Sequence, residues 1–185
     1  MIAALMRLLG AVMVLVGLGL VALFFVGPPG GTAGSVPTGA GAGSIEVPAD
    51  GTLYLTIPKI GLEDATVHNS LSEESLDDSA IHLPDTGFPW QPGSNTYIAG
   101  HRMGYFGTGS FLVFFRLNEL ARGDEIILED TTGGRYTYWV TESLVVGPED
   151  TQVTEPVPGK SIVSLQTCTL PDYSNRLIVR GELVL

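Results

Sequence analysis

Two hydrophobic rhythms divide this chain. From Leu8 to Val26, nineteen consecutive residues carry no charged or strongly polar side chain. Wound as a helix at about 1.5 Å per residue, such a run covers roughly 28 Å, close to the hydrocarbon thickness of a bilayer. From residue 51 onward the apolar residues come instead in short runs with polar residues between them, the period of half-buried strands. Thr52–Ile57 alternates and is stopped by Pro58, and Asn95–Ala99 is a short run ended by Gly100. Glu125–Glu129 and Arg135–Thr141 flank the hairpin-type sequence Thr131-Thr-Gly-Gly134. Ile162–Leu165, continuing as a strand-like run to Cys168, and Leu177–Val184 form a last pair. Helical signals are short: Ser72–Asp78, with Ser72 placed to cap it, and Phe114–Leu120. Strands at this spacing predict an all-β domain closed, or partly closed, into a barrel. About 135 residues are enough to bury its core.

Between the two rhythms, residues 27–50 hold seven glycines and four prolines and carry no charge before Glu46. This composition describes a flexible linker with little capacity to bury a core. The expected organisation is a short cytoplasmic N-terminus (1–7), a transmembrane helix (8–26), the linker (27–50) and a folded domain (51–185). Arg7 and the amino terminus are the nearby positive charges and both precede the span. The positive-inside rule then gives a single-pass protein of the cell membrane with its domain outside the cell. A cleaved signal peptide, cut near Thr32-Ala33-Gly34-Ser35, is the competing reading, and it too exports the domain.

Charge narrows the partners. The formal net charge is −11 and the nine basic residues are scattered, which argues against nucleic acid and against an electrostatic grip on anionic lipid. Three scattered histidines and one cysteine have no zinc-ligand spacing. The acidic runs Glu73-Glu74 and Asp77-Asp78 read as solvated faces; calcium is conceivable there but no ligand spacing supports it. No cofactor is expected. Gly147–Gly159 holds three prolines without a strand pattern, and a connection of that kind just before the Cys168 strand is a candidate pocket wall.

Cys168 is the single cysteine of the chain. In an exported protein a leftover thiol points to an intermolecular bridge or a reactive site. Arg176 follows after Thr169–Asn175, in which Pro171-Asp172 marks a turn, and His101 follows Gly100 at the end of another strand-like run. If the strands carrying Cys168 and Arg176 pair antiparallel, both lie at one rim of the barrel. Whether they share a face depends on a register the sequence leaves open. A thiolate can serve as nucleophile, an imidazole can move protons near neutral pH, and a guanidinium can donate to a developing oxyanion. Arg102 is either a second cation of that site or a structural residue paired with an acid such as Asp172 or Glu182. His68 and His82 have no motif support and read as surface or loop residues; Tyr97 and Trp139 read as ordinary strand aromatics.

Ala99-Gly100-His101-Arg102, then Ser164-Leu165-Gln166-Thr167-Cys168, then Arg176 leading the final strand, resemble in kind and order the motifs of the sortases, membrane-anchored cysteine transpeptidases of Gram-positive bacteria. The resemblance covers roughly residues 50–185. It implies an eight-stranded β-barrel and assigns Cys168 as the nucleophile. His101 would protonate the leaving amine and deprotonate the incoming one, and Arg176 would stabilise the oxyanion and help hold substrate. Thr167 would lie beside the substrate backbone, with Leu165 and Ser164 as further substrate-binding positions. Ser164 replaces the motif's first Thr and keeps its hydroxyl. The implied reaction cleaves an L-P-x-T-G-like sorting signal between Thr and Gly through a thioester. The Thr carboxyl is then joined to an amine of a peptidoglycan precursor or a pilin lysine. The implied partners are thus secreted proteins bearing a C-terminal sorting signal and an amine acceptor.

Arg116–Glu125 and the short Thr169–Asn175 loop are similar to class E or D sortases of actinobacteria, and class E favours an L-A-x-T-G signal. Residues 27–50 lack the lid motif of the pilus-building class C, and no second apolar span follows the last strand, so housekeeping anchoring is expected over pilin polymerisation. A hydrolase using water as acceptor and a non-enzymatic wall-binding barrel are the competing functions. Leu83-Pro-Asp-Thr-Gly87 spells a sorting signal inside the chain itself. It is either a turn that coincides with the motif or a segment that occupies the groove.

Overall fold

In β1 (Leu53–Ile57), Leu53, Leu55 and Ile57 are fully buried while Tyr54 and Thr56 between them face outward, as a period of two requires. The computed structural model of the chain describes residues 48–184. The expected membrane helix (8–26) and nearly all of the linker lie outside the described residues. Pro58 starts a 3-10 turn, Pro58–Ile60, and Gly61 takes the left-handed φ of 71° that turns the chain into β2 (Leu62–Asn69). β2 pairs antiparallel with β1 and parallel with β3 (Ala80–His82). A parallel neighbour demands a crossover, and it contains the six-residue helix α1 (Glu73–Asp78). As expected, Ser72 caps α1, its Oγ accepting from the Ser75 N–H at 3.1 Å.

β4 (Asn95–Ala99), β5 (Glu125–Asp130), β6 (Arg135–Val146), β7 (Ile162–Cys168) and β8 (Arg176–Leu183) complete the set. The eight strands close into a barrel in the order β1-β2-β3-β4-β7-β8-β6-β5, and β5 returns to β1. The β4–β7 pair is parallel, like β2–β3; the other neighbours run antiparallel. The interior is filled by Leu53, Leu55, Ile98, Ile126, Leu128, Tyr138, Val163, Leu165 and Val179, plugged by Phe114, Leu117 and Leu120. The helix expected over Phe114–Leu120 is confined to one 3-10 turn, Leu117–Glu119, preceded by irregular turns.

A second, smaller cluster lies on the outer face of β4 and β8: Tyr97, Val153 and Ile178, flanked by Leu83, Leu144 and Val146. Val153 packs the Gly147–Gly159 connection against the barrel, while the cleft that holds Cys168 is lined by other segments. Asn95 Nδ2 donates to the carbonyls of Val153 and Glu155, both at 3.1 Å, and Arg180 Nη2 donates to Val153 O at 3.2 Å.

The Leu83–Gly87 segment is a structural turn. Thr86 N and Oγ1 both donate to Leu83 O, at 2.9 and 2.7 Å, and Gly87 N donates to Asn95 O at 3.2 Å. Gly87 is therefore tied to the start of β4. His101 follows the other end of that strand, about 20 Å away at roughly 3.3 Å per residue. The Gly87 end of the turn thus lies away from His101, while Leu83 N donates to Tyr97 O at 3.0 Å and its side chain packs against the cluster of Tyr97 and Ile178.

Candidate active site

Strand register assembles the site. In the antiparallel β7–β8 ladder Cys168 stands directly opposite Arg176. Directly opposed residues project to the same face, so thiol and guanidinium share one. β4 and β7 run parallel with a constant offset, from Asn95↔Ile162 to Ala99↔Gln166. Gly100 N continues the ladder, donating to Gln166 O at 3.0 Å, so the next step brings His101 level with Cys168. Register thus brings the three residues singled out in the sequence to one end of the β4–β7–β8 surface. Cys168 and His101 line a cleft of about 220 Å³ with Arg102, Met103, Gly104, Tyr105 and Tyr173. Arg176 Nη1 is steadied by the carbonyls of Tyr173 and Asn175, at 3.2 and 3.3 Å.

Alternation splits the Ser164–Cys168 motif between the two faces. Cys168, Gln166 and Ser164 face outward; Leu165 and Thr167 face the interior. Leu165 is fully buried in the barrel core, and Thr167 is 2% exposed with its hydroxyl meeting no hydrogen-bond partner among the described residues. Both side chains point away from the face that carries Cys168, so a place for them along the substrate would be through the backbone. Ser164 faces outward but is fully buried between Tyr97 and Arg180 on the neighbouring strands, so it is floor rather than contact. Next to it Tyr97 OH donates to Gln166 Oε1 at 2.6 Å. Burial pushes the Tyr97 phenol up to about 12, against the pull of Arg180 and Arg176, so it remains a neutral donor.

His101 is held on several sides. Its Nε2 lies 3.0 Å from Asp77 Oδ1 of α1, and the Tyr105 ring meets it edge-on at 5.6 Å between centroids. Its carbonyl accepts from Phe114 N at 3.3 Å. Arg102 is buried and donates from Nη2 to Asn118 Oδ1 at 2.5 Å, with its guanidinium 5.9 Å from the Phe115 ring centre; burial lowers its pKa. Neither suggested acid is its partner. Asp172 accepts from Ser174, and Glu182 accepts from Lys160 Nζ at 2.6 Å.

Two residues change character. His82, expected at the surface, is completely buried on β3, with Nδ1 3.0 Å from Asn69 Oδ1 and Nε2 3.1 Å from Gly87 O. The sequence signal missed here is its place directly after Ala80-Ile81, a strand too short for its period to register. Asp77, expected on a solvated acidic face, is the partner of His101. Its neighbour Asp78 contacts His68 Nε2 at 2.8 Å on β2, so the two aspartates diverge. Among the described residues no three His, Cys, Asp or Glu side chains converge as a metal-binding group.

A thiol, an imidazole and a guanidinium at one strand end form a set suited to acyl transfer. Comparison with known proteins places the set in a family. The family model of the sortase domain matches residues 55–184. The chain is 37% identical to sortase A of Streptococcus agalactiae over 92 residues, which are 49% of this chain and 37% of that protein. It is 30% identical to sortase SrtE1 of Streptomyces coelicolor over 158 residues, covering 77% of this chain and 42% of that one. The chain thus spans well under two thirds of the length of these relatives. Among solved structures, sortase A of Corynebacterium diphtheriae superposes with a TM-score of 0.65 at 28% identity, covering 72% of this chain and 60% of that one. Sortase C1 of Streptococcus agalactiae gives 0.64 at 30% identity, covering 71% and 66%. Barrel, motif order and family match agree: the chain belongs to the sortase family of enzymes.

Proposed function

We propose that the chain is a cysteine transpeptidase acting on sorting-signal peptides. The observation that carries this reading is the register that sets Cys168 opposite Arg176 and level with His101 at one cleft. The Cys168 thiolate attacks the carbonyl carbon of the Thr–Gly peptide bond. Arg176 donates to the oxygen as it becomes an oxyanion. The C–N bond breaks, His101 delivers a proton to the leaving amine, and a thioester remains. An incoming amine then attacks that thioester and gives a proton to His101. The C–S bond breaks, the new amide leaves and the thiolate is restored.

The substrate we favour is L-A-x-T-G over L-P-x-T-G, and the acceptor an amine of a peptidoglycan precursor. Support comes from the resemblance of Arg116–Glu125 to class E or D members and from the match to a sortase SrtE1. We place the domain outside the cell, held at the membrane by residues 8–26.

The test is mass spectrometry of both peptides with and without a glycine-type amine. Wild type yields an amine-dependent ligated product and Cys168→Ala yields none. Ligation by Cys168→Ala overturns the mechanism, and a product that ignores the amine identifies a hydrolase.

A further inference from the structure

We infer that Asp77 is the positioning residue of His101, holding its ring through Nε2 and leaving Nδ1 as the nitrogen that exchanges protons in the cleft. This rests on the proton-transfer role proposed for His101. The placement follows from the fold. β3 pairs antiparallel with β4 through Ile81↔Ala99 and His82↔Ile98. Continued by two residues, that register sets Ser79 level with His101. α1 ends at Asp78, immediately before, so its last turn lies beside the point where the chain leaves β4. Asp77 Oδ1 then stands 3.0 Å from His101 Nε2, with the two side chains 39% and 31% exposed.

The chemistry is directional. An ionised carboxylate only accepts hydrogen bonds, so the facing nitrogen carries the proton. Neutral His101 is therefore the tautomer protonated at Nε2, with its lone pair on Nδ1. When Nδ1 takes up a proton in the proposed reaction, Nε2–H keeps its bond to the carboxylate, so the ring stays oriented through the transfer. The other charged or titratable groups around the ring are Arg102, Cys168, Tyr105 and Tyr173 of the cleft, with Arg176 across the β7–β8 pair. Asp78, the adjacent carboxylate on α1, is turned to His68 instead. Among the described residues Asp77 is thus the carboxylate that touches His101. The edge-on Tyr105 ring limits rotation from another side. Partial exposure weakens the pair by solvent screening, so the expected effect is moderate.

The test compares wild type, Asp77→Asn, Asp77→Glu and Asp78→Asn in the full chain. Asp78→Asn removes the adjacent helix charge without touching His101. Ligation of L-A-x-T-G and L-P-x-T-G peptides is measured as kcat and KM, and nitrogen-15 spectra read which nitrogen of His101 carries the proton. The expectation for Asp77→Asn is a kcat about 5- to 20-fold lower with KM within about twofold, and loss of the fixed tautomer of His101 in nitrogen-15 spectra. Asp77→Glu recovers part of kcat, and Asp78→Asn stays close to wild type. Nitrogen-15 spectra of neutral His101 show the proton on Nε2.

Three results overturn the inference: wild-type or higher kcat in Asp77→Asn; an equal loss in Asp78→Asn with a lowered melting temperature in both; or a proton on Nδ1 of neutral His101 in wild type. The proposed function fails separately. Ligation by Cys168→Ala removes that reading whatever Asp77 does, while an inactive Cys168→Ala beside an unaffected Asp77→Asn retires the positioning role alone.

Discussion

A Cβ on Gly100 would lie 2.6 Å from the Phe114 ring, closer than carbon atoms tolerate, and Gly100 is the residue that delivers His101 to the cleft. Gly100→Ala must displace either the ring from the barrel plug or the backbone from its bond to Gln166. The expected outcome is a stability loss of about 1–3 kcal/mol in urea denaturation, with a fall in ligation rate larger than the unfolded fraction explains. A wild-type rate in the folded variant would show that His101 tolerates the shift. Arg176 is tested differently, because its Nη1 also holds the Tyr173 and Asn175 carbonyls. Arg176→Ala is expected to lower kcat/KM by about 10²- to 10³-fold. Arg176→Lys should restore little, since a point charge cannot keep both the loop carbonyls and an oxyanion.

At this scale His101, Cys168 and Arg176 were legible because motif order names them. Asp77 was not: two adjacent aspartates on a short exposed helix look like a solvated face, and the partner lies 24 residues onward. Leu165 and Thr167 show what letters leave out. They belong to the motif as letters, but a strand turns alternate letters away from the site.

The strands legible in advance were short apolar runs bounded by turn residues: β1 alternates cleanly, whereas β4, β5 and β8 carry consecutive buried positions. β2 was hidden because Leu62-Glu63-Asp64-Ala65 keeps its charges outward and Val67 alone is fully buried. β6 reaches Val146 rather than Thr141 because a bulge between Val140 and Glu142 shifts the phase of its inner positions. The β5–β6 hairpin was legible by its glycines, but not the residue that fastens it. Buried Asp130 accepts from Thr132 N and Oγ1, from Gly134 N and from Tyr136 OH, at 2.9, 2.8, 2.8 and 2.9 Å. Burial alone would raise this carboxyl; the hydrogen bonds outweigh burial and leave it lowered. Its contribution is present above the ordinary carboxylate range and is lost as pH falls through about 4 and below. Asp130→Ala should cost about 1–3 kcal/mol at neutral pH and flatten the acid limb of stability against pH. An unchanged acid limb would place that dependence elsewhere.

The barrel as a whole carries a second pH dependence. His82 is fully buried, and burial lowers its pKa despite the opposing bond to the Gly87 carbonyl. The unfolded chain binds this proton more readily than the folded one, so the stabilising effect is complete above about 6.5 and is lost as pH falls below it. Urea midpoints should decline between about pH 7 and pH 5, and His82→Gln should reduce that decline. A decline that persists in full in His82→Gln would assign it to another group. Closure itself was readable as a class from strand spacing, but the order of strands was not. The parallel β2–β3 and β4–β7 contacts come from crossovers whose reach no local pattern reports.

Cys168 is the sole sulfhydryl in the 185-residue sequence and is partly exposed. The molecule therefore carries its own gauge. Any reagent that adds mass at a thiol marks this cleft and nothing else, so one adduct per chain counts accessible Cys168 thiols. Slower labelling beside a peptide reports that peptide's occupancy before any bond is made. Oxidation follows the same arithmetic. With no second thiol in this sequence to close a ring, the first product is a sulfenic acid that an external thiol can return, and the poise of the surroundings sets how many copies keep a free Cys168 at a given moment.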